Sequence, residues 1–185
     1  VGLCSAARVA DARLADPSIC TSRTERVTKE SGTVFFGEHV HVLDAKGRLQ
    51  LPSKFRRKLE EKAEGDDKRF QVFVTKGEDF CLQVYPPHAW ALKQEAVLNL
   101  DTASRDAREY RRAFFSGADE LEADAQGRIL LRDQLRDYAH IVKDCAVIGC
   151  GEYFEIWSLS DWERERNLID DAIGTRDEPV RASGS

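Results

Sequence analysis

The densest concentration of chemically active side chains in this sequence is basic. Between Asp44 and Lys58 one acid stands against Lys46, Arg48, Lys54, Arg56, Arg57 and Lys58, a local charge of +5 in a chain whose net charge is −5. Cations at this density suit phosphates, which give affinity and salt dependence without reading sequence. A guanidinium can do more, because its planar fork matches two acceptors at once, such as N7 and O6 of guanine. Asp44 has a different task. A carboxylate beside phosphate is repulsive unless it is paired internally, so Asp44 is expected to build the turn it stands in. It can accept a backbone N–H two residues on and pair with Arg48, while Gly47 supplies the positive φ of a tight turn.

This turn is written twice. Asp44-Ala45-Lys46-Gly47-Arg48 returns as Asp124-Ala125-Gln126-Gly127-Arg128, eighty positions on with four of five residues identical. Phe35-Phe36-Gly37 and Phe114-Phe115-Ser116-Gly117 precede the two copies. Leu49, Leu51, Phe55 and Arg56 follow the first, and Ile129, Leu131, Leu135 and Arg136 the second. A later pair, Phe80 to Trp90 and Glu152 to Trp162, repeats at an offset of 72. The unit is a duplicated small module, longer than the unit of a solenoid. An exposed Asp–Arg pair stabilises a turn by only ~0–1 kcal/mol, which hardly explains building it twice.

Other chemistries find less support. His39 and His41 share a strand face but have no third ligand in the sequence pattern, so no metal site is expected. Cys150 has no placed histidine partner, and the carboxylates follow no catalytic motif. The protein is therefore expected not to be an enzyme and to need no cofactor. Five cysteines without CxxC spacing suit a reducing cytosol. No apolar run approaches the length of a membrane span. Arg8, Asp11, Arg13 and Asp16 interrupt any signal-peptide core, so no membrane association is expected.

The elements around the turns follow from periodicity. His39 to Leu43 and Arg48 to Leu51 alternate as strands joined by the turn into a hairpin. Pro52-Ser53 ends it, and Ser53 can cap a helix through about Ala63 with Phe55 and Leu59 on one face. Phe70 to Thr75 and Phe80 to Tyr85 form a second strand pair. Pro86-Pro87 opens a helix from about His88 to Leu98, and Asp101 can cap the next, to Phe114. The second copy repeats the order, with a helix from Asp133 to about His140, strands at Cys145 to Gly149 and Tyr153 to Ser158, and a final helix capped by Ser160 and Glu163. Trp90, Trp157 and Trp162 are expected in the core. One module has too little core to be secure alone, so the two should pack about a pseudo-twofold axis as one α+β unit.

The duplicated D-x-x-G-R turn, with Phe36-Gly37-Glu38, Leu51-Pro52-Ser53, Phe55-Arg56, Arg111 to Ala118 and Ile156-Trp157, resembles the MraZ family of bacterial transcriptional regulators over about Val34 to Asp171. The resemblance implies two tandem SpoVT/AbrB-like modules forming a swapped-hairpin barrel. The chain then divides into a flexible extension (1–33), a first module (34–86), a helical linker (87–114), a second module (115–158), a C-terminal helix (159–173) and a flexible tail (174–185). The extension is either an additional arm on DNA or a dispensable tail. One departure is Leu131-Arg132, where the family pattern has an apolar residue and proline.

The resemblance further implies a cytoplasmic, nucleoid-associated homo-oligomer, a ring, binding G-rich double-stranded promoter repeats upstream of the division and cell-wall gene cluster. Lys46, Arg48, Lys54, Arg56, Arg57 and Arg128 become the DNA-binding residues, and Asp44, Gly47, Asp124 and Gly127 the turn formers. Gln126 replaces Lys46, and the 124–137 stretch carries no net charge, so the first copy should dominate affinity. The alternative is an AbrB-like protein-interaction module such as an antitoxin, with the acidic 161–178 stretch as its binding segment.

Overall fold

The computed structural model describes residues 33–63 and 69–175. Residues 1–32 of the expected extension lie outside the described residues, as does the tail from 176 onward. In chain order the elements are β1 (Phe35–Val42), β2 (Arg48–Gln50), α1 (Ser53–Glu60), β3 (Gln71–Lys76), β4 (Leu82–Tyr85), α2 (Pro87–Leu98), α3 (Arg105–Ser116), β5 (Asp119–Glu122), β6 (Arg128–Leu130), α4 (Asp133–Tyr138), β7 (Asp144–Gly151), β8 (Phe154–Ser158) and α5 (Leu159–Gly174). The fold is α+β.

Six strands make one antiparallel sheet in the order β1-β7-β8-β4-β3-β5, and β2 pairs with β6 in a separate two-stranded ribbon. The order reads the same from either end once copies are exchanged, which places the pseudo-twofold between β8 and β4. The expected pairing of 39–43 with 48–51 is not what forms. Only Leu43 and Leu49 bridge, while β1 runs along β7 for its full length and β2 pairs with β6. The reason is reach. In the register of the Leu43–Leu49 bridge a local hairpin would reach only the end of β1, whereas β7 pairs with all eight of its residues.

The sheet separates three layers. On one face Val72, Val74, Leu82, Val84, Val147, Phe154 and Ile156 meet α1, α4 and the ribbon in a single core. Phe35, Phe55 and Phe154 pack edge-on or tilted there at 5.1–5.3 Å between ring centroids. The other face is covered in two places. Trp90 stacks between Phe73 and Phe114 under α2 and α3, and Trp157 packs on Trp162 under α5. All three tryptophans are buried. The same face of β1 is left bare, with Phe36, Val40 and Val42 exposed.

Three caps fall elsewhere than expected. Ser53 is the first residue of α1 behind Pro52 and makes no capping bond. Asp101 accepts from Ala103 N in a local turn, and Ser104 caps α3 instead. The α5 cap is Ser158, which accepts from Asp161 N, rather than Ser160. At α5 two serines competed and the end of β8 at Ser158 chose between them; at α1 the helix begins one residue early, behind Pro52.

Because the ladder partners of β1 and β2 both lie in the second copy, a chain ending at residue 113 is expected to be unfolded. Far-ultraviolet circular dichroism with thermal melting checks this, and a cooperative transition in the half-chain would contradict it.

Candidate nucleic-acid interface

Each D-x-x-G-R turn is closed by its own aspartate. Asp44 Oδ1 accepts from Lys46 N at 2.8 Å and Arg48 N at 3.0 Å, and Oδ2 accepts from Arg48 Nε at 2.7 Å. Asp124 does the same with Gln126 N at 3.0 Å, Arg128 N at 3.0 Å and Arg128 Nε at 2.7 Å. Backbone bonds from Asp44 N to Arg48 O and from Gly47 N to Asp44 O recur between their equivalents. Gly47 and Gly127 stand at φ +77° and +74°, a region an L side chain enters only at a cost. Hydrogen bonds from the Arg48 backbone, then its side chain, hold the Asp44 carboxyl at about 2. At Asp124 partial desolvation acts upward, and the bonds from Arg128 and Gln126 overcome it to leave the carboxyl lowered.

The ribbon sets both arginines on one surface. In the β2–β6 register Arg48 faces Leu130, Leu49 faces Ile129, and Gln50 faces Arg128. Leu49 and Ile129 are fully buried. By strand alternation Arg48, Gln50, Arg128 and Leu130 point outward together. Arg48 and Arg128 are then diagonal neighbours, roughly 7–8 Å apart at their Cα atoms. Across the ribbon Leu51 N donates to Gly127 O and Leu131 N to Gly47 O, so each turn is stitched to the strand end of the other copy.

The two arginines differ in what they have left to offer. Arg128 Nη2 donates to Gln126 Oε1 at 2.8 Å and lies 2.6 Å from Asp124 Oδ2. Among the described residues Arg48 is bound through Nε alone, because Lys46, at the position of Gln126, has no acceptor. The terminal edge of the Arg48 guanidinium therefore remains available. Lys46 is exposed beside it.

The remaining basic residues divide. Lys54 and Arg57 are exposed on α1, and Arg57 lies 3.8 Å from Glu61 in a fully accessible pair. Lys58 donates to Val34 O and sits over the Phe36 ring. Arg56 is engaged within the protein. Its Nη1 donates to Gln126 O at 3.0 Å, and its Nε lies 3.2 Å from Glu60. Arg136, which the sequence showed only as the repeat partner of Arg56, packs beneath Gly47. Its identical offset of eighty was the available signal.

His39 and His41 do lie on one face, but it is the inner one. His39 meets Phe55 edge-on, and desolvation, then the charge of His39, lowers His41. Among the described residues no group of three or more His, Cys, Asp or Glu side chains could hold a metal. Burial, then Asp144, pushes Cys145 up to about 12, and burial, then Glu155, does the same to Cys150. These thiols are poor nucleophiles at neutral pH. Among the described residues no helix is long and apolar enough to cross a membrane.

Fold and surface together define a tandem, intertwined α+β protein that presents a rigid arginine-bearing β-ribbon. A family model described as "MraZ protein, putative antitoxin-like" matches residues 34–113 and again 114–171. The transcriptional regulator MraZ of Desulforamulus reducens is 47% identical over 131 residues, 71% of this chain and 86% of that protein. That of Caldicellulosiruptor saccharolyticus is 45% identical over 132 residues, 71% and 86% of the two chains. That of Alkaliphilus metalliredigens is 43% identical over 150 residues, 80% of this chain and 99% of its own length. The chain belongs to the MraZ family.

Two outcomes are expected of the turns. A carboxyl held down by folding contributes stability that is complete above its unfolded value near 4 and is lost as pH falls through about 2. Carboxyl-carbon NMR titration should place Asp44 near 2, with Asp44→Asn abolishing the effect. Gly127→Ala should lower stability by roughly 1–3 kcal/mol, since its Cβ would meet Arg56 Cδ at 2.0 Å besides the positive φ. Gly47→Ala, with nearest atoms at 3.2 Å, should cost less in denaturant unfolding.

Proposed function

We propose that this protein is a DNA-binding transcriptional regulator, not an enzyme, and that the outer face of the β2–β6 ribbon is its DNA-reading surface. The observation that carries this reading is the pair of outward arginines, each aligned by an aspartate through Nε. A two-stranded ribbon fits the major groove. Pre-aligned guanidinium forks favour guanine, whose discrimination is worth roughly 1–3 kcal/mol per good pair. The G-rich repeats upstream of the division and cell-wall gene cluster, expected from the family resemblance, suit that chemistry. Lys46, Lys54 and Arg57 supply phosphate contacts. Arg56, which the resemblance assigns to DNA, acts mainly through the turn it touches. Arg128, with its second amine already bound to Gln126, contributes less than Arg48. The relatives' name, transcriptional regulator, supports the reading. A cytoplasmic, nucleoid-associated location follows from it.

The working form is a homo-oligomer, a ring. Supporting this, α5 ends in exposed Leu168, Ile169 and Ile173, beside Asp170 and Asp171. A cleft of about 490 Å³ between α2 and α3 offers Val97, Leu100 and Tyr110 flanked by Lys93 and Asp106. Unlike surfaces meeting head to tail build a ring where the rotation closes, and a ring lets several ribbons engage successive repeats with gain in effective concentration. Ile169→Asp with Ile173→Asp should reduce the mass found by light scattering, and an unchanged mass would contradict this assembly.

The antitoxin-like wording of the family description and the acidic α5 favour a second reading, a protein-interaction module. Fluorescence anisotropy on tandem G-rich and scrambled duplexes at two salt concentrations separates the two. Arg48→Ala should lose about 1–3 kcal/mol of affinity for the G-rich duplex with most of the discrimination, and Arg128→Ala less. Wild-type protein that binds both duplexes alike would overturn the regulator reading.

A further inference from the structure

The helices after the two turns carry Arg56 and Arg136, and each reaches the turn of the other copy. The nearest side chain to Gly127 is Arg56, whose Cδ and Cγ would lie 2.0 and 2.9 Å from an added Cβ. The nearest to Gly47 is Arg136, through Cζ and Nε at 3.2 Å. Arg56 adds the hydrogen bond from Nη1 to Gln126 O. Arg136 makes no matching bond to Lys46. Its Nη2 donates instead to Asp133, at the position held by Ser53 in the first copy; the buried Nε of Arg136, like that of Arg56, finds no hydrogen-bond acceptor among the described residues. The second turn is thus braced by an aliphatic stem and a hydrogen bond, the first by the flat of a guanidinium.

We propose that Arg136 and Arg56 are crossed positioning residues: Arg136 holds the Lys46–Arg48 turn in its DNA-reading orientation, and Arg56 holds the Gln126–Arg128 turn. The proposal rests on the reading of the ribbon as the DNA-contacting face. Its consequence runs against the charge pattern. A residue from the basic stripe of α1 braces the weaker turn, while the stronger turn depends on a residue of the charge-neutral 124–137 stretch of the second copy. Bracing each turn from the other copy also couples the two contact points, so that they reach DNA in fixed relation.

The contact atoms make the conservative substitutions unequal. Arg56→Lys keeps Cγ and Cδ under Gly127 and can return an ammonium donor to Gln126 O. Arg136→Lys loses the Cζ and Nε that touch Gly47.

Hydrogen exchange by mass spectrometry on the full chain tests the bracing without DNA. Arg136→Ala should speed exchange in residues 43–49 and leave 123–129 unchanged, and Arg56→Ala should do the reverse. Arg56→Lys should restore protection, and Arg136→Lys should not. Arg136→Gln replaces the alanine variant if thermal melting shows that variant unfolded. In anisotropy, Arg136→Ala should weaken G-rich binding roughly tenfold, within the range of a misplaced arginine–guanine pair, with scrambled DNA bound as before. A general loss of folding would move both duplexes together. Exchange that rises only in the variant's own turn overturns the crossed bracing. Crossed exchange with unchanged discrimination overturns the positioning role. Arg48→Ala run alongside separates the readings: if it too leaves discrimination unchanged, the ribbon reading fails, while exchange still decides the bracing.

Discussion

Neither copy of the module can satisfy the backbone of its own ribbon strand. β2 is three residues long and finds its ladder only in β6, and the bonds Leu51 N to Gly127 O and Leu131 N to Gly47 O extend the exchange into the turns. Buried backbone groups must be paired, and beyond the turn bond to Arg48 and the Leu43–Leu49 bridge that pairing comes from across the pseudo-twofold. The same dependence fixes the large sheet, where β1 borrows β7 and β5 borrows β3. The duplication in one chain supplies the partner at high effective concentration and lets one core of residues from both copies form beneath the ribbon.

That dependence shapes the charged surface. A short ribbon with buried Leu49 and Ile129 has a single outward face, and two arginines occupy it diagonally. Each arginine is held at Nε by an aspartate that is itself saturated by backbone N–H groups. The charge of each aspartate is offset by the arginine it holds. Rigidity is gained in the same bonds, and less side-chain entropy remains to be lost when a ligand is met. The symmetry then breaks at one side chain. Gln126 consumes part of Arg128, and Lys46 leaves Arg48 open and adds a charge.

Outside the ribbon the protein leaves apolar surface bare in an organised way. Phe36, Val40 and Val42 on β1 and Leu168, Ile169 and Ile173 on α5 are exposed, and Glu38 pairs with Arg166 between those two elements at 3.0 Å. These patches lie on the face of the sheet opposite α1 and α4, so contacts made there would leave the ribbon free.

Much of this molecule could be read in the sequence because it depends on local chemistry. The Asp–Gly–Arg turns, the apolar faces of α1 and α4, the strand pair at Phe70 to Tyr85 and the buried tryptophans follow from residue type and spacing. The repeat made the pseudo-twofold legible. The choice among Ser158 and Ser160, or Asp101 and Ser104, was not, because neighbouring residues cap equally well, and the end of β8 decides the first while a local turn at Asp101 decides the second. Nor was strand partnership. The residues flanking each turn alternate as a hairpin would, and only the competing eight-residue ladder with β7 draws β1 away. Arg56 shows the same division. Its charge and place in a basic stripe are properties of the sequence, but its contact with Gln126 and Gly127 exists because the second turn is folded over it. Sequence determines which groups are present and their local turns; the tertiary fold decides which are already spent on one another, because that depends on groups eighty positions apart being brought within hydrogen-bond distance.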